Sequence, residues 1–172
     1  MKTSLRKEKD YFFSGLSFYT RIPCPKSVGF SPENLNKSRK YLALIGLIVG
    51  LAASIVYLLS TLVFPIGVSV FLSMIATIYL TGAFHEDGFA DSCDGFGGGW
   101  EKAQILSIMK DSRIGSYGVT GLILILGLKF LVLMSLAERS SVLLIFALLC
   151  GHSISRLMAS WIMQKYAYVS SA

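Results

Sequence analysis

The sequence predicts an all-α fold, a polytopic transmembrane helical bundle of about four spanning helices with an N-terminal interfacial helix. Of its 172 residues, 53% are hydrophobic and only 15% are charged, whereas soluble domains carry about 25% charged residues. The mean hydropathy is +0.63. This composition excludes a disordered chain and argues against an ordinary soluble enzyme. The hydrophobic residues also form long continuous runs, which is typical of membrane helices and not of alternating β-strands.

Four such runs are predicted to cross the bilayer, since a helical crossing takes about 20 apolar residues. They comprise residues 41–64, 66–84, 117–137 and 142–163. The first two contain no charged residue, and the third contains only Lys129. The whole chain, 1–172, is therefore predicted to be a single integral-membrane domain.

The segment before the first run is predicted to lie at the membrane surface. Residues 11–20 (YFFSGLSFYT) are aromatic and amphipathic but too short to span, which indicates an interfacial helix. Pro23 and Pro25 follow, and they prevent this helix from continuing. Residues 1–40 and the polar segment 85–116 are thus predicted to flank the spans as extramembrane segments.

The distribution of basic residues predicts the orientation. With a cytoplasmic N-terminus, 13 of the 16 Lys and Arg residues fall in cytoplasmic segments, as the positive-inside rule requires. The net charge is +6, but the charged residues lie between apolar runs and form no basic stripe. No nucleic-acid partner is therefore predicted. The three cysteines are widely spaced and predict neither disulfides nor a thiolate zinc site. A homo-oligomer is compatible with the sequence, which does not define the oligomeric state.

Six of the ten acidic residues lie in segment 85–116. Asp87, Asp91 and Asp94 are spaced i, i+4, i+7, which places them within about 60° on a helix. Their mutual repulsion at a membrane surface would be relieved by a cation, and oxygen ligands favour Mg²⁺ or Mn²⁺. A solvated acidic helix end is the alternative. Small residues beside the row favour the metal site; they are Gly88, Ala90, Ser92 and Gly95.

Glycines and basic residues complete the candidate site. Gly95 and Gly97–Gly99 are predicted to end the helix and to expose backbone N–H groups to phosphate oxygens. Lys110 and Arg113 are candidates for holding phosphate, with a juxtamembrane basic pair as the alternative. Asp111 is a candidate metal ligand or base.

Ionisable residues near or within the spans are further candidates. His85 is a candidate ligand or general base, or else a histidine satisfied by a carbonyl group at a helix end. His152 and Arg156 are spaced i, i+4 on the fourth predicted span, and Arg156 could instead extend to the membrane surface. Lys129 has no obvious sequence partner. Together, the aspartates, glycines and basic residues predict Mg²⁺-assisted transfer at a phosphate or diphosphate, with an alcohol acceptor.

Residues 85–95 form the pattern H-x-D-G-x-x-D-x-x-D-G, as His85-Glu86-Asp87-Gly88-Phe89-Ala90-Asp91-Ser92-Cys93-Asp94-Gly95. With this motif the sequence resembles the cobalamin synthase (adenosylcobinamide-GDP ribazoletransferase) family. Residues 108–118 (IMKDSRIGSYG) are similar to its second block. Residues 18–23 (FYTRIP) resemble its N-terminal block, and Ser155-Arg156 resembles its later Ser-Arg.

The resemblance implies an activity and a site. The family transfers the adenosylcobinamide phosphate moiety from adenosylcobinamide-GDP to α-ribazole or its 5′-phosphate, releases GMP and requires Mg²⁺. This places the chain in the bacterial cytoplasmic (inner) membrane. Asp87, Asp91 and Asp94 would hold the metal, and Lys110 and Arg113 would bind phosphate. Arg21 and Arg156 are weaker candidates for substrate contacts. Family members usually continue further, so the sequence is either a fragment or a short member.

Two other functions remain as alternatives. CDP-alcohol phosphotransferases also use D-x-x-D-G, but here no Ala-Arg follows it and the later paired aspartates are missing. A cation transporter could use the aspartate row as an ion site. That function predicts acidic residues within the spans, whereas all ten lie outside the four predicted ones.

Overall fold

The computed structural model describes residues 2–25, 27–28, 31–167 and 169, and every regular element in that part of the chain is helical. The helices are α1 (Lys2–Tyr19), α2 (Pro32–Ser38), α3 (Leu42–Ser60), α4 (Ile66–Thr81), α5 (Phe84–Gly98), α6 (Lys102–Ile108), α7 (Ser116–Arg139) and α8 (Ser141–Lys165). A 3₁₀ turn, Arg39–Tyr41, joins α2 to α3. The predicted all-α fold is confirmed.

Helices α3, α4, α7 and α8 occupy the four predicted apolar runs. Three helical stretches of the described chain are long and apolar enough to cross a membrane, namely Pro32–Ser60, α7 and α8. A fourth crossing results if α4 and α5, which are bent by 88° relative to each other, count as one broken span. The chain is therefore a multi-pass membrane protein. The apolar run belongs to α4, and we treat the polar helix α5 as lying outside the span.

Helices α3 and α8 form a close antiparallel pair because two glycines face α8. A Cβ atom at Gly46 would lie 2.2 Å from the carbonyl oxygen of His152, and Gly50 meets the α8 backbone in the same way. At the other end of the pair, the Tyr57 hydroxyl lies 3.2 Å from the Ser141 hydroxyl. Glycines four residues apart commonly allow membrane helices to approach this closely.

The main hydrophobic core lies between helices α3, α4, α7 and α8. Its buried members are Ala53, Tyr57, Val70, Met74, Leu133, Ala137, Leu144 and Leu148. In contrast, large apolar side chains on the outer faces are exposed, among them Ile123, Leu131 and Phe146. Such a surface is stable only in an apolar solvent, which agrees with a bilayer location.

The N-terminal helix is longer than the sequence predicted. It begins at Lys2 rather than near residue 11, and it ends at Tyr19, before the predicted break. Leu16 and Tyr19 pack with Leu42 and Ile45 at the start of α3. This cluster fixes α1 beside one end of the bundle, at which the candidate site also lies.

Candidate functional site

The acidic helix α5 begins at a sharp bend. Gly82 and Ala83 both have left-handed backbone conformations, with φ values of 65° and 58°. Helix α4 therefore ends at Thr81, about one turn before residue 84, where the second predicted run ends. Arg21 supports the bend, since its backbone N–H donates to the Leu80 carbonyl at 2.7 Å. Its guanidinium lies 5.5 Å from the centre of the Tyr79 ring. The structure thus places Arg21 at the bend between α4 and α5.

Asp94 is buried and binds the start of α7. Its Oδ2 atom accepts a hydrogen bond from the Gly115 N–H at 2.7 Å, and its Oδ1 atom accepts one from the Gly118 N–H at 2.8 Å. No side chain of its own caps α7, and a carboxylate at a helix N-terminus both satisfies N–H groups and interacts favourably with the helix dipole. Asp94 therefore has a capping role that the sequence reasoning missed. Its predicted role as a metal ligand stays a prediction.

The spacing of the two glycines could have indicated this contact. A Cβ atom at Gly115 or at Gly118 would lie 2.4 Å from an oxygen of Asp94. Glycines three residues apart at the first turn of a span are therefore a signal that another segment approaches the helix end.

Asp91 lines a large cavity. This cavity has a volume of about 970 Å³, and Gly88, Lys110 and Arg39 also line it. Burial raises the pKa of the Asp91 carboxyl, and the negative charges of Asp87 and Asp94 raise it further. Negative charge is thus poorly compensated on this face of α5. The structure brings Asp91 and Lys110 to one cavity, and Asp87 lies one helical turn from Asp91 on the exposed surface.

Arg113 and Asp111 form an exposed ion pair away from that cavity. Arg113 Nη2 lies 2.6 Å from Asp111 Oδ2, and these hydrogen bonds lower the pKa of Asp111 to about 2. The pair lines a separate opening of about 440 Å³ together with Asp94 and Tyr117. The structure therefore separates Arg113 from Lys110, although the sequence predicted that the two would act together.

The prediction that the glycines end the helix is wrong for most of them. Helix α5 continues through Gly95, Gly97 and Gly98, and only Gly99 lies beyond its end. The physical reason is close packing: a Cβ atom at Gly97 would lie 2.5 Å from the Tyr117 ring, and one at Gly95 would lie 2.6 Å from Met109 Cγ. These glycines let α6 and α7 approach α5.

His85 and Arg156 meet at a third cavity, of about 280 Å³, between α4, α5, α7 and α8. Arg156 is buried, and its Nη1 atom lies 3.1 Å from both the ring Nδ1 and the carbonyl oxygen of His152. Glu86 and Lys129 also line this cavity. The sequence reasoning did not select Glu86 and gave Lys129 no role, because only the fold brings these residues, which are far apart in sequence, to one cavity.

The carboxylates of α5 fit a metal ion that is shared with a substrate. Among the described residues, no group of three or more His, Cys, Asp and Glu side chains could hold a metal ion. Both oxygens of Asp94 bind α7, which leaves Asp87 and Asp91 on the acidic face. Mg²⁺ in enzymes is commonly held by one or two carboxylates, with water and substrate phosphates as the remaining ligands. The donor set matches this pattern rather than that of a closed protein cage.

Fold and site together define a multi-pass helical membrane protein with an acidic helix and basic residues at one end of the bundle. Residues 11–172 match the cobalamin-5-phosphate synthase family. The chain belongs to this family. No solved structure is significantly similar to the chain.

Several curated relatives are named adenosylcobinamide-GDP ribazoletransferase. The chain is 46% identical to the protein of Shewanella amazonensis over 97% of its own length and 64% of the relative. It is 45% identical to that of Shewanella frigidimarina, over 95% of its length and 62% of the relative. It is 46% identical to that of Shewanella oneidensis, over 98% of its length and 64% of the relative. The chain thus spans slightly less than two thirds of these relatives.

Proposed function

We propose that this chain carries the metal and phosphate machinery of an adenosylcobinamide-GDP ribazoletransferase. It would transfer the adenosylcobinamide phosphate moiety from adenosylcobinamide-GDP to α-ribazole or its 5′-phosphate. The products would be GMP and adenosylcobalamin or its 5′-phosphate. The observation that carries the proposal is the cavity of about 970 Å³, which is lined by both Asp91 of the family motif and Lys110 of the second block.

Each residue of the site would have a separate role in the phosphoryl transfer. Asp87 and Asp91 would hold Mg²⁺, which, when bound, neutralises diphosphate oxygens and stabilises the departing phosphate. Lys110 would bind a phosphate oxygen across the cavity. An acceptor hydroxyl oxygen forms the new bond to phosphorus, the diphosphate P–O bond breaks, and GMP leaves. His85, at the start of α5, is the candidate base for the hydroxyl proton.

The proposed location is the bacterial cytoplasmic membrane, with the N-terminus and segment 85–116 on the cytoplasmic side. The asymmetric distribution of Lys and Arg supports this orientation. The antiparallel pairing of α3 with α8 supports an even number of crossings, because the two helices then start on opposite sides of the membrane.

The decisive experiment is a GMP-release assay with adenosylcobinamide-GDP and an acceptor, in membranes that contain this chain. The longer Shewanella oneidensis relative is assayed in parallel. The Asp91→Asn variant is expected to lose Mg²⁺-dependent GMP release by at least about 100-fold, because it replaces a charged ligand with a neutral one. The exposed Glu138→Gln variant is the matched control and should retain activity.

A second measurement separates metal binding from turnover. Wild-type protein should bind Mn²⁺, detected by electron paramagnetic resonance, and Asp91→Asn should bind it much more weakly. Near-normal GMP release by Asp91→Asn would refute the metal role. Cation flux without GMP release would favour a transporter, and release of CMP from a CDP-alcohol would favour the CDP-alcohol phosphotransferase class.

A further inference from the structure

The cavity between α4, α5, α7 and α8 has more positive than negative charge. Lys129, near the middle of α7, and Arg156, past the middle of α8, both line it. Glu86 is the only carboxylate among the described residues that line it. Lys129, Arg156 and Glu86 together give the cavity a formal net charge of +1, and three of the four helices around it (α4, α7 and α8) are apolar.

The charged groups in this cavity do not satisfy one another. Arg156 is only 3% exposed, and its Nε atom is buried without a hydrogen-bond partner. Glu86 Oε2 is also buried without a partner. Within the described chain, no salt bridge within 4.0 Å joins Lys129 or Arg156 to Glu86. Unpaired charges at membrane depth are costly and are characteristic of functional sites.

A bound anion would remove the cost of the two unpaired positive charges. A phosphate group offers several acceptor oxygens, and it could accept from the Arg156 guanidinium and the Lys129 ammonium at once. A cation would meet the two positive charges of Lys129 and Arg156 against one carboxylate. An apolar ligand would leave Arg156 Nε and the Lys129 ammonium without an acceptor. The charge and the donors therefore select an anionic group.

The neighbouring cavity indicates what is attached to the anion. It has a volume of about 420 Å³ and shares His85 and Arg156 with the charged cavity. Phe18, Tyr19 and Phe84 line it, and aromatic side chains of this kind pack against flat ring systems. This second cavity in turn shares Arg39 with the large cavity that contains Asp91.

We propose that the charged cavity binds a phosphate monoester, and that this group is the 5′-phosphate of the acceptor α-ribazole 5′-phosphate. The aromatic base of the acceptor would occupy the cavity lined by Phe18 and Phe84. This inference rests on the proposed function, since it names the residues that recognise the phosphate of the phosphorylated acceptor. It assigns Lys129 and Arg156 to recognition of the acceptor phosphate rather than to the metal.

Two measurements test the proposal, with Lys129→Met as the variant and Arg139→Met as its control. Arg139 is an exposed basic residue at the other end of the same helix. First, inorganic phosphate is titrated into the purified chain in phosphatidylcholine nanodiscs and followed by calorimetry. Loss of a charge-assisted hydrogen bond should weaken binding about 10- to 100-fold in Lys129→Met and leave Arg139→Met unchanged. Absence of phosphate binding by the wild type would overturn the proposal.

Second, kcat/KM for GMP release is compared between α-ribazole 5′-phosphate and α-ribazole. Lys129→Met should lose at least about tenfold with the phosphorylated acceptor and little with the other, and Lys129→Arg should restore the preference. Equal losses with both acceptors would overturn the assignment to the acceptor. The assignment would also be overturned if phosphatidic acid displaces inorganic phosphate while Lys129→Met leaves the acceptor preference unchanged. If no acceptor gives GMP but phosphate binding depends on Lys129, the proposed function fails while the anion site stands.

Discussion

Replacement of Asp94 by Asn should destabilise the fold, whereas the same change at Asp91 should not. Both aspartates belong to the row on α5, and the sequence assigns them the same role. The structure separates them, because Asp94 is buried and accepts hydrogen bonds from the N–H groups of Gly115 and Gly118 at 2.7 and 2.8 Å. Asp91 has no such partner among the hydrogen bonds of the described residues, and its pKa is raised by burial and by neighbouring carboxylates.

The expected loss follows from these contacts. Asn retains one acceptor oxygen and presents an NH₂ group in place of the other, so one N–H of α7 loses its partner. A lost hydrogen bond to a charged group costs about 1.5–3 kcal/mol, and a lost negative charge at a helix N-terminus costs about 0.3–1 kcal/mol. The free energy of unfolding of Asp94→Asn should therefore fall by about 2–4 kcal/mol. Asp91→Asn removes a repulsive charge, so its stability should be unchanged or slightly higher.

The measurement is reversible unfolding in mixed detergent micelles, with both variants compared to the wild type. Gly118→Ala provides an independent check, because its Cβ atom would lie 2.4 Å from an oxygen of Asp94 and should displace the cap. Equal stability of Asp94→Asn and wild type would refute the capping role. Greater destabilisation by Asp91→Asn than by Asp94→Asn would refute the distinction between the two residues.

Two further predictions concern helix packing and pH. Gly46→Ala should lower the free energy of unfolding by about 1–3 kcal/mol, because the added methyl group overpacks against the α8 backbone. Gly151→Ala is the control, since its methyl group meets open space, and its stability should be unchanged or higher. Equal effects in the two variants would contradict the packing argument. Arg113→Ala should raise the pKa of Asp111 from about 2 toward 3.8, measured by carboxyl NMR titration, and an unchanged pKa would contradict the pairing. Because the folded pKa is lowered, any stability from this exposed pair is present above about pH 4 and is lost as the pH falls toward 2.

The fold class followed from hydropathy because each apolar run is local in sequence. The predicted runs and helices α3, α7 and α8 agree within a few residues at most ends, and the largest difference is at the end of α3, which stops at Ser60. The bend at Gly82 and Ala83 was not predicted, since a left-handed Ala has no sequence signature and Arg21 stabilises the bend from another segment. The length of α5 was underestimated because glycines that pack against neighbouring helices look the same in sequence as glycines that end a helix.

Composition and spacing alone defined an all-helical membrane protein with three aspartates on one helical face, because hydropathy and the 3.6-residue period act within single segments. Family membership likewise rests on sequence, since its motifs are continuous. The tertiary structure decided how that face is divided: Asp94 is committed to the N-terminus of α7, whereas Asp91 lines the large cavity. It also brought Glu86, Lys129 and Arg156 together, although 70 residues separate the first from the last. Such assignments depend on which helices pack against one another, and that arrangement is fixed by small residues such as Gly46 and Gly118, where backbones and side chains meet.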